Sequence, residues 1–408
     1  MTDRANPWLR VFLPFAAGYY LSYLLRNVNA VIAPELLRDL GVSASDLGLL
    51  TSAYLLAFGA FQLPLGLLLD RYGPRRVEAA LLLIAAAGCA FFALGSSLAG
   101  LTTARALIGL GLSACLMASF KAFSLWFPAE RQASLNAAVM AAGGLGALTA
   151  TTPLGWILPV AGWRGVFFAL AALALLAAAA IFSTPEKQKV MHSGIHLDGT
   201  GETVAEQLRG LGEILRSRVF WRYAPQTAMI VGGFMAVQGL WAVPWLMHFN
   251  GLGRDAAAFH LLLTGIAMLA GFLAIAFFVI PLKQRGIPPE RILLVGMGLG
   301  VAANAAIALD LLPTQATWFF VGLVFSVGNL AYALLQAQFP AALAGRVNTA
   351  LNLGAFAGAF GLQWGFGALV DALSAGGYGQ RDAFQWTFAV LVLLQAASYG
   401  WYLRGARR

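Results

Sequence analysis

Apolar runs of about twenty residues recur along the whole chain, separated by short polar turns. Twenty apolar residues are about what a helix needs to cross a hydrocarbon core about 30 Å thick. Twelve such spans are read, at 11–34, 46–69, 77–98, 101–127, 132–158, 164–183, 222–249, 256–281, 291–311, 314–339, 346–372 and 382–403. The longest polar stretch divides them six and six. This predicts an all-α polytopic membrane protein with an N-terminal six-helix bundle over 1–184, a linker over 185–221 and a C-terminal bundle over 222–408. Within the linker Val204, Leu208, Leu211 and Leu215 recur at helical spacing, with Glu206, Arg209, Glu213 and Arg216 on other faces. That pattern predicts an amphipathic surface helix tethering the halves.

Composition agrees: 60% of the residues are hydrophobic and 11% charged, against about 25% charged in a soluble domain. The net charge of +9 is explained by where the cations lie rather than by nucleic-acid binding. With the N-terminus in the cytoplasm, 19 of the 26 lysines and arginines fall on the cytoplasmic side. Four, Arg38, Arg164, Arg254 and Arg381, fall on the other. The positive-inside rule therefore puts both termini in the cytoplasm, with the protein in an inner (plasma) membrane among its lipids. Cys89 and Cys115 both fall inside spans, and the four histidines are scattered. Neither pattern suggests a disulfide or a metal site. No phosphate-binding loop or nucleophile–base pair points to an enzyme or a cofactor.

The halves look related. FPAERQASLNAAVMAAGGLGA from Phe127 aligns with FPAALAGRVNTALNLGAFAGA from Phe339, an offset of 339 − 127 = 212. Pro128 then matches Pro340, Asn136 matches Asn348 and Gly146 matches Gly358. Such repeats mark secondary transporters, whose substrate site lies at the repeat interface near mid-membrane.

Between spans two and three stands GLLLDRYGPRR, Gly66 to Arg76. Physically this is a tight turn, with Gly73 free to take a positive φ and Pro74 fixing the next one. The stretch resembles the signature loop of the major facilitator superfamily, and RALIGLG at Arg105–Gly111 is similar to that family's fourth-span motif. The resemblance implies two pseudo-symmetric six-helix bundles working by alternating access. It assigns Gly66, Asp70, Arg71, Gly73, Arg75 and Arg76 to a gating loop, and Arg105 and Gly109 to structural roles. The second-half counterpart, PLKQRGIPPER, is degenerate and implies an asymmetric gate. YLLRNVNAVIAPEL, LWFPAER and LPVAGWRGVFF resemble the branch that moves organic anions and organophosphates. In two places where that branch often has an acid, Leu25 and Leu112 stand here.

The candidate site starts from charge. By this reading none of the 17 acids lies mid-span, whereas Arg26, Arg105 and Lys121 do lie within spans. An ionised group at the bilayer centre costs at least about 2.5–3.5 kcal/mol and normally faces a cavity and a partner. With no acid at hand, the partner expected for Arg26 is an anionic substrate, which a guanidinium can grip with two parallel N–H bonds. Tyr19, Ser22, Tyr23, Arg26 and Asn29 share a helical face. Lys121 is the expected second cation. The second half offers neutral groups: Gln238 and Trp241 on span seven, Asn329, Tyr332 and Gln336 on span ten, and Asn352 on span eleven. The function expected is secondary active transport of a small organic anion by a monomer, with a proton or counter-anion as coupling partner. Two rivals stay open: an exporter of amphipathic molecules, and a transporter-like sensor.

Overall fold

The computed structural model describes residues 6–128, 131–185, 212–339 and 344–406. Most of the predicted linker helix, 204–211 included, lies outside them; 212–216 are helical. The described residues form twelve long helical segments, besides the short turn at 212–216, and no strand. They are labelled α1 (Leu13–Leu40), α2 (44–72), α3 (74–94), α4 (Leu98–Trp126), α5 (132–161), α6 (163–182), α7 (Arg218–His248), α8 (Arg254–Gln284), α9 (Pro289–Ala308), α10 (Thr314–Gln336), α11 (Ala344–Ala375) and α12 (Gln380–Ala406). Each falls on a predicted span. Ten stretches are long and apolar enough to cross a membrane on composition alone. α1 is diluted by its polar residues, and α5 is broken at Ala150–Thr151.

Local sequence sets the boundaries. α1 ends on Gly41, left-handed at φ 61°, whose N–H returns to the Leu37 carbonyl. α2 opens with a capping box in which Ser43 and Asp46 bond each other's backbone N–H. α2 and α3 are separated by Gly73 alone, at φ 80°, where the chain turns back, with Pro74 in the first turn of α3. The positive-φ glycines come in pairs at equivalent turns of the two halves: Gly41 with Gly251, Gly73 with Gly286, and Gly162 with Gly377. Three turns per half are thus built alike, at nearly the sequence offset of the repeat.

Packing repeats too. Gly146 of α5 lies against the backbone of Tyr20 in α1, and Gly358 of α11 lies against the backbone of Ala228 in α7. Gly109 of α4 meets the backbone of Tyr54 in α2, and Gly322 of α10 meets that of Thr264 in α8. Small residues at such crossings let backbones approach where lipid offers no hydrophobic drive for association. A β-carbon at Gly146 would overlap the Tyr20 carbonyl, so Gly146→Ala must push α1 off α5. Overpacking of this kind typically costs about 1–3 kcal/mol. The expected outcome is a lowered melting temperature in detergent, while Gly155→Ala, where a methyl meets open space, leaves it unchanged. Large apolar side chains stay exposed on α3 (Leu83, Phe91), α6 (Leu173, Leu176), α8 (Phe277, Phe278) and α12 (Leu393, Trp401). Those faces suit a lipid surround.

The halves meet chiefly through α2 against α11, with α5 approaching α8 at Leu148 and Gly265. Contacts cluster at the face opposite the chain termini. There Glu35 of α1 pairs with Arg254 of α8, Gly48 of α2 lies against Gln363 and Trp364 of α11, and Gly367 of α11 lies against Ala44 of α2. Trp241, read from sequence as a site residue, and its neighbour Trp245 are fully buried beside this closed face. Trp241 donates its indole N–H to the Gln363 carbonyl (2.8 Å) and stacks on Phe366. Trp245 stacks on Phe249 and leans on Phe388.

Candidate functional site

Arg26 sits halfway along α1, and α2 and α11 bring aromatic rings to it. Its guanidinium carbon lies 4.7 Å from the Tyr23 ring centroid, 4.9 Å from Phe58 and 5.6 Å from Phe356. Phe58 belongs to the first half and Phe356 to the second, and their rings are 4.9 Å apart. Arg26 therefore occupies the junction of the halves. Ring faces stabilise a cation by about 0.5–2 kcal/mol each without neutralising it. Among the described residues no carboxylate pairs with it, and its buried Nε has no hydrogen-bond partner. The expectation of an acid-free arginine in an apolar setting thus has a concrete geometry, an aromatic box with an unfilled donor.

Arg105 reaches the same region from behind. It is fully buried on α4, donates from Nη1 to the Leu25 carbonyl (3.0 Å) and stands 4.9 Å from the Tyr54 ring. Its Nε and Nη2 are unpartnered. The Leu25 bond pins α1 one residue before Arg26, which fits a supporting role. Tyr54 lies beside both arginines and donates to the Ser22 carbonyl (3.4 Å).

Of the other predicted site residues, Tyr19 and Tyr23 stay with Arg26. Their rings meet edge to face at 5.1 Å, and Gly143 of α5 packs against both. From the second half, Tyr332 lies near Tyr23 and donates to Asn352 Oδ1 (3.2 Å). Gln336 accepts from Asn348 Nδ2 (2.8 Å). Asn329 closes the 3-10 turn Ser326–Asn329 inside α10, half-buried. Lys121 is half-buried on α4.

Three expectations are corrected. Asn29 is fully buried and turned into the α1–α2 contact, where it donates to Thr51 Oγ1 (2.9 Å). Gln238 lines a small cleft inside the second half with Thr264, Asn304 and Gln395. Trp241 belongs to the closed face described above. The last two share a cause: residues Val237–Trp241 form a π-helical turn. Such a turn inserts about one residue and rotates every later side chain off the face that regular spacing predicts. Sequence reasoning also missed Tyr54, Phe58 and Phe356, whose only signal was aromatic spacing ordinary for packing. It missed Glu78 as well, which it counted only among the acids that do not lie mid-span. Glu78 is fully buried on α3, four residues after Pro74.

In the loop motif, Gly73 takes the positive φ expected of it. Arg75 donates from Nε to the Phe182 carbonyl at the end of α6 (2.6 Å) and covers the Phe182 ring, while Arg71 lies over Tyr72. Beside Gly66 there is open space where a side chain would point. The Asp70 side chain lies outside the described set. At the opposite face Asp39 accepts from the Trp163 indole (3.1 Å), and that bond, with Arg38 beside it, holds its carboxyl below the usual value.

Two half-repeats of helices, close-packed by glycine and meeting around a buried cation, define a membrane transporter fold. The chain belongs to the Major Facilitator Superfamily, whose model matches residues 15–370. It is 29% identical to the hexuronate transporter of Escherichia coli (strain K12) over 222 residues, 51% of this chain and 50% of that protein. It is 28% identical to the galacturonate transporter of Dickeya chrysanthemi over 221 residues, 51% of this chain and 63% of that one. With the probable sulfoacetate transporter of Cupriavidus necator it shares 27% over 157 residues, 38% and 36% of the two chains. The matched segment spans about half the length of the hexuronate transporter. Among solved structures, a bacterial homologue of the human lysosomal transporter Spinster, inward-facing and unoccupied, superposes with a TM-score of 0.77 at 17% identity, over 99% of this chain and 98% of that one. The D-xylose–proton symporter does so at 0.72 and 16%, over 95% and 96%. These likenesses concern the fold.

Proposed function

We propose that this protein is a secondary active transporter of a small organic anion, of the sugar-acid or sulfonate class, working by alternating access between the halves. The observation that carries the reading is Arg26, a cation with an unfilled donor and no acid, boxed by aromatics from both halves. A carboxylate or sulfonate arriving there supplies the missing partner and touches both halves at once. The aromatic faces suit the apolar edges of a sugar ring, and Tyr332, Asn352 and Gln336 supply hydrogen bonds for hydroxyls. Relatives named for hexuronates, galacturonate and sulfoacetate support the same class.

The division into an N-terminal bundle, a linker and a C-terminal bundle follows the paired packing of α1–α6 and α7–α12. With both termini in the cytoplasm of an inner membrane, as the charge distribution indicates, the closed face is the outer one and the conformation is inward-facing. The GLLLDRYGPRR turn then lies on the side that closes in the alternate state. Lys121 serves as a second cation on the route to it, and the unit of function is the monomer.

The test is uptake into sealed proteoliposomes of labelled D-glucuronate, D-galacturonate, sulfoacetate and, as uncharged control, D-glucose. At least one anion is expected to enter at least 10-fold faster than D-glucose, with unlabelled anion competing. Efflux of neutral or cationic amphiphiles without anion uptake would replace this reading with an exporter. Anion binding without flux would replace it with a sensor.

A further inference from the structure

We propose that Glu78 is a proton-binding site of the transport cycle, occupied in the conformation seen here and emptied in the alternate one. The inference rests on the transport reading above and adds a proton requirement to it.

Glu78 lies about 6 Å along α3 from Pro74, inside the first-half bundle. It is fully buried, and neither carboxyl oxygen has a hydrogen-bond partner. The elements packed against it offer little to a charge. α1 presents Gly18, which leaves no room even for a methyl group beside Oε1. α6 presents Ile181, whose methyl also lies against Gly18. α4 presents the Cys115 thiol, the titratable group facing it from these neighbours. Tyr19, next to Gly18, is turned away toward Met140 and Tyr23. On its own helix, Arg75 is engaged at Phe182. A carboxylate ion in such a place is strongly disfavoured, because no cation replaces its lost water and the donor that faces it, the Cys115 thiol, is a weak one. The packing seen here therefore requires the neutral acid.

The geometry then couples Glu78 to the site. Its oxygen abuts Gly18, two turns before Arg26 on the same helix. Cys115 lies between, within interaction range of Glu78 and of Tyr19 and Arg26. Any tilt of α1 that accompanies a change at Arg26 opens or closes the Gly18–Glu78 contact. When it opens, water reaches the carboxyl, and the proton passes to water to leave a hydrated carboxylate. When it closes, the carboxylate must first take a proton back from hydronium. Closure thus requires a proton on Glu78, and the conformation seen here is reached only with the carboxyl neutral.

Two measurements test this. The first needs no substrate. Melting temperatures of purified wild type and Glu78→Gln in detergent are compared between pH 5 and pH 9. The sign follows from burial of the neutral acid: wild-type stability is fully present at low pH and falls as pH rises, whereas glutamine cannot ionise. The gap in favour of Glu78→Gln is expected to widen with pH. A gap independent of pH overturns the proposal. The second uses labelled D-glucuronate in proteoliposomes. Wild-type counterflow exchange of the labelled anion is expected to fall at least 10-fold as the pH on both sides rises from 6 to 9, whereas exchange by Glu78→Gln stays independent of pH. Wild-type exchange as insensitive to pH as that of Glu78→Gln overturns the proposal. If wild type carries no D-glucuronate, the substrate reading fails at that compound, and the pH dependence of the melting gap still decides the role of Glu78.

Discussion

Arg26→Gln is expected to abolish anion transport and anion binding while leaving the empty protein as stable as wild type or more so. Breaking a buried ion pair strands the surviving partner and costs about 3–5 kcal/mol. Here no carboxylate is stranded, since none pairs with Arg26 among the described residues. Glutamine retains most of the apolar stem and a donor, and removes a charge that lacks its counter-ion. With the anion present the balance reverses. The substrate then loses a charge-assisted pair, for which truncation of one partner costs about 2–5 kcal/mol. Each 1.4 kcal/mol is tenfold in affinity. The prediction is a loss of about 100-fold or more in affinity for the transported anion, read by thermal shift, together with an unchanged or raised melting temperature without ligand. Arg26→Lys keeps the charge without the planar fork and should recover only part of the affinity. A mutant that melts well below wild type in the absence of ligand would instead make Arg26 a structural tie between α1, α2 and α11.

The same contrast explains what was legible in the sequence. The spans were readable because the bilayer imposes a length and forbids unpaired backbone inside it. The turns were readable where glycine and proline fix φ, as at Gly73 and Pro74. Arg26 was readable because a cation in an apolar run violates composition, and a violation is visible without coordinates. Its surroundings were not. Phe58 and Phe356 are separated by almost 300 positions, and only the α2–α11 crossing puts their rings together. Gln238 and Trp241 were placed by regular helical spacing, which the π-helical turn at Val237–Trp241 breaks. Nothing in VQGLW announces that turn, which packs chiefly against α1. Glu78 carried no signal of its own, standing at the start of its span close after Arg75 and Arg76. Its depth is a tertiary fact, set by Gly18 allowing α1 to come against α3.

Asp371→Ala is expected to open the face that this conformation keeps closed. α2 begins with backbone N–H groups that no helical carbonyl can reach. Asp46 N is taken by Ser43 Oγ from within the capping box. Ala44 N and Ser45 N donate instead to Asp371 Oδ1 (3.1 Å) and Oδ2 (2.6 Å), on α11 of the other half. One carboxylate thus caps a helix across the interface, where the partial positive charge of the helix start favours it. The Trp364 indole donates to Ser45 Oγ (3.2 Å), and Glu35 with Arg254 closes the neighbouring corner. Hydrogen bonds to a charged group contribute about 1.5–3 kcal/mol. In the open state water reaches both the N–H groups and the carboxylate, so the closed state loses most of this preference when the carboxylate is removed. A shift of about 1.4 kcal/mol moves a two-state ratio tenfold. Spin labels at Arg38→Cys on α1 and Ala375→Cys on α11 report the separation across this face, since Cys89 and Cys115 are buried. Wild type should give predominantly the short distance. Asp371→Ala should show a long-distance population raised about tenfold, and Glu35→Gln, which unpairs Arg254, should move it the same way. A distance distribution unchanged in Asp371→Ala would mean that the α2–α11 packing at Gly48 and Gly367 holds the face shut without the cap.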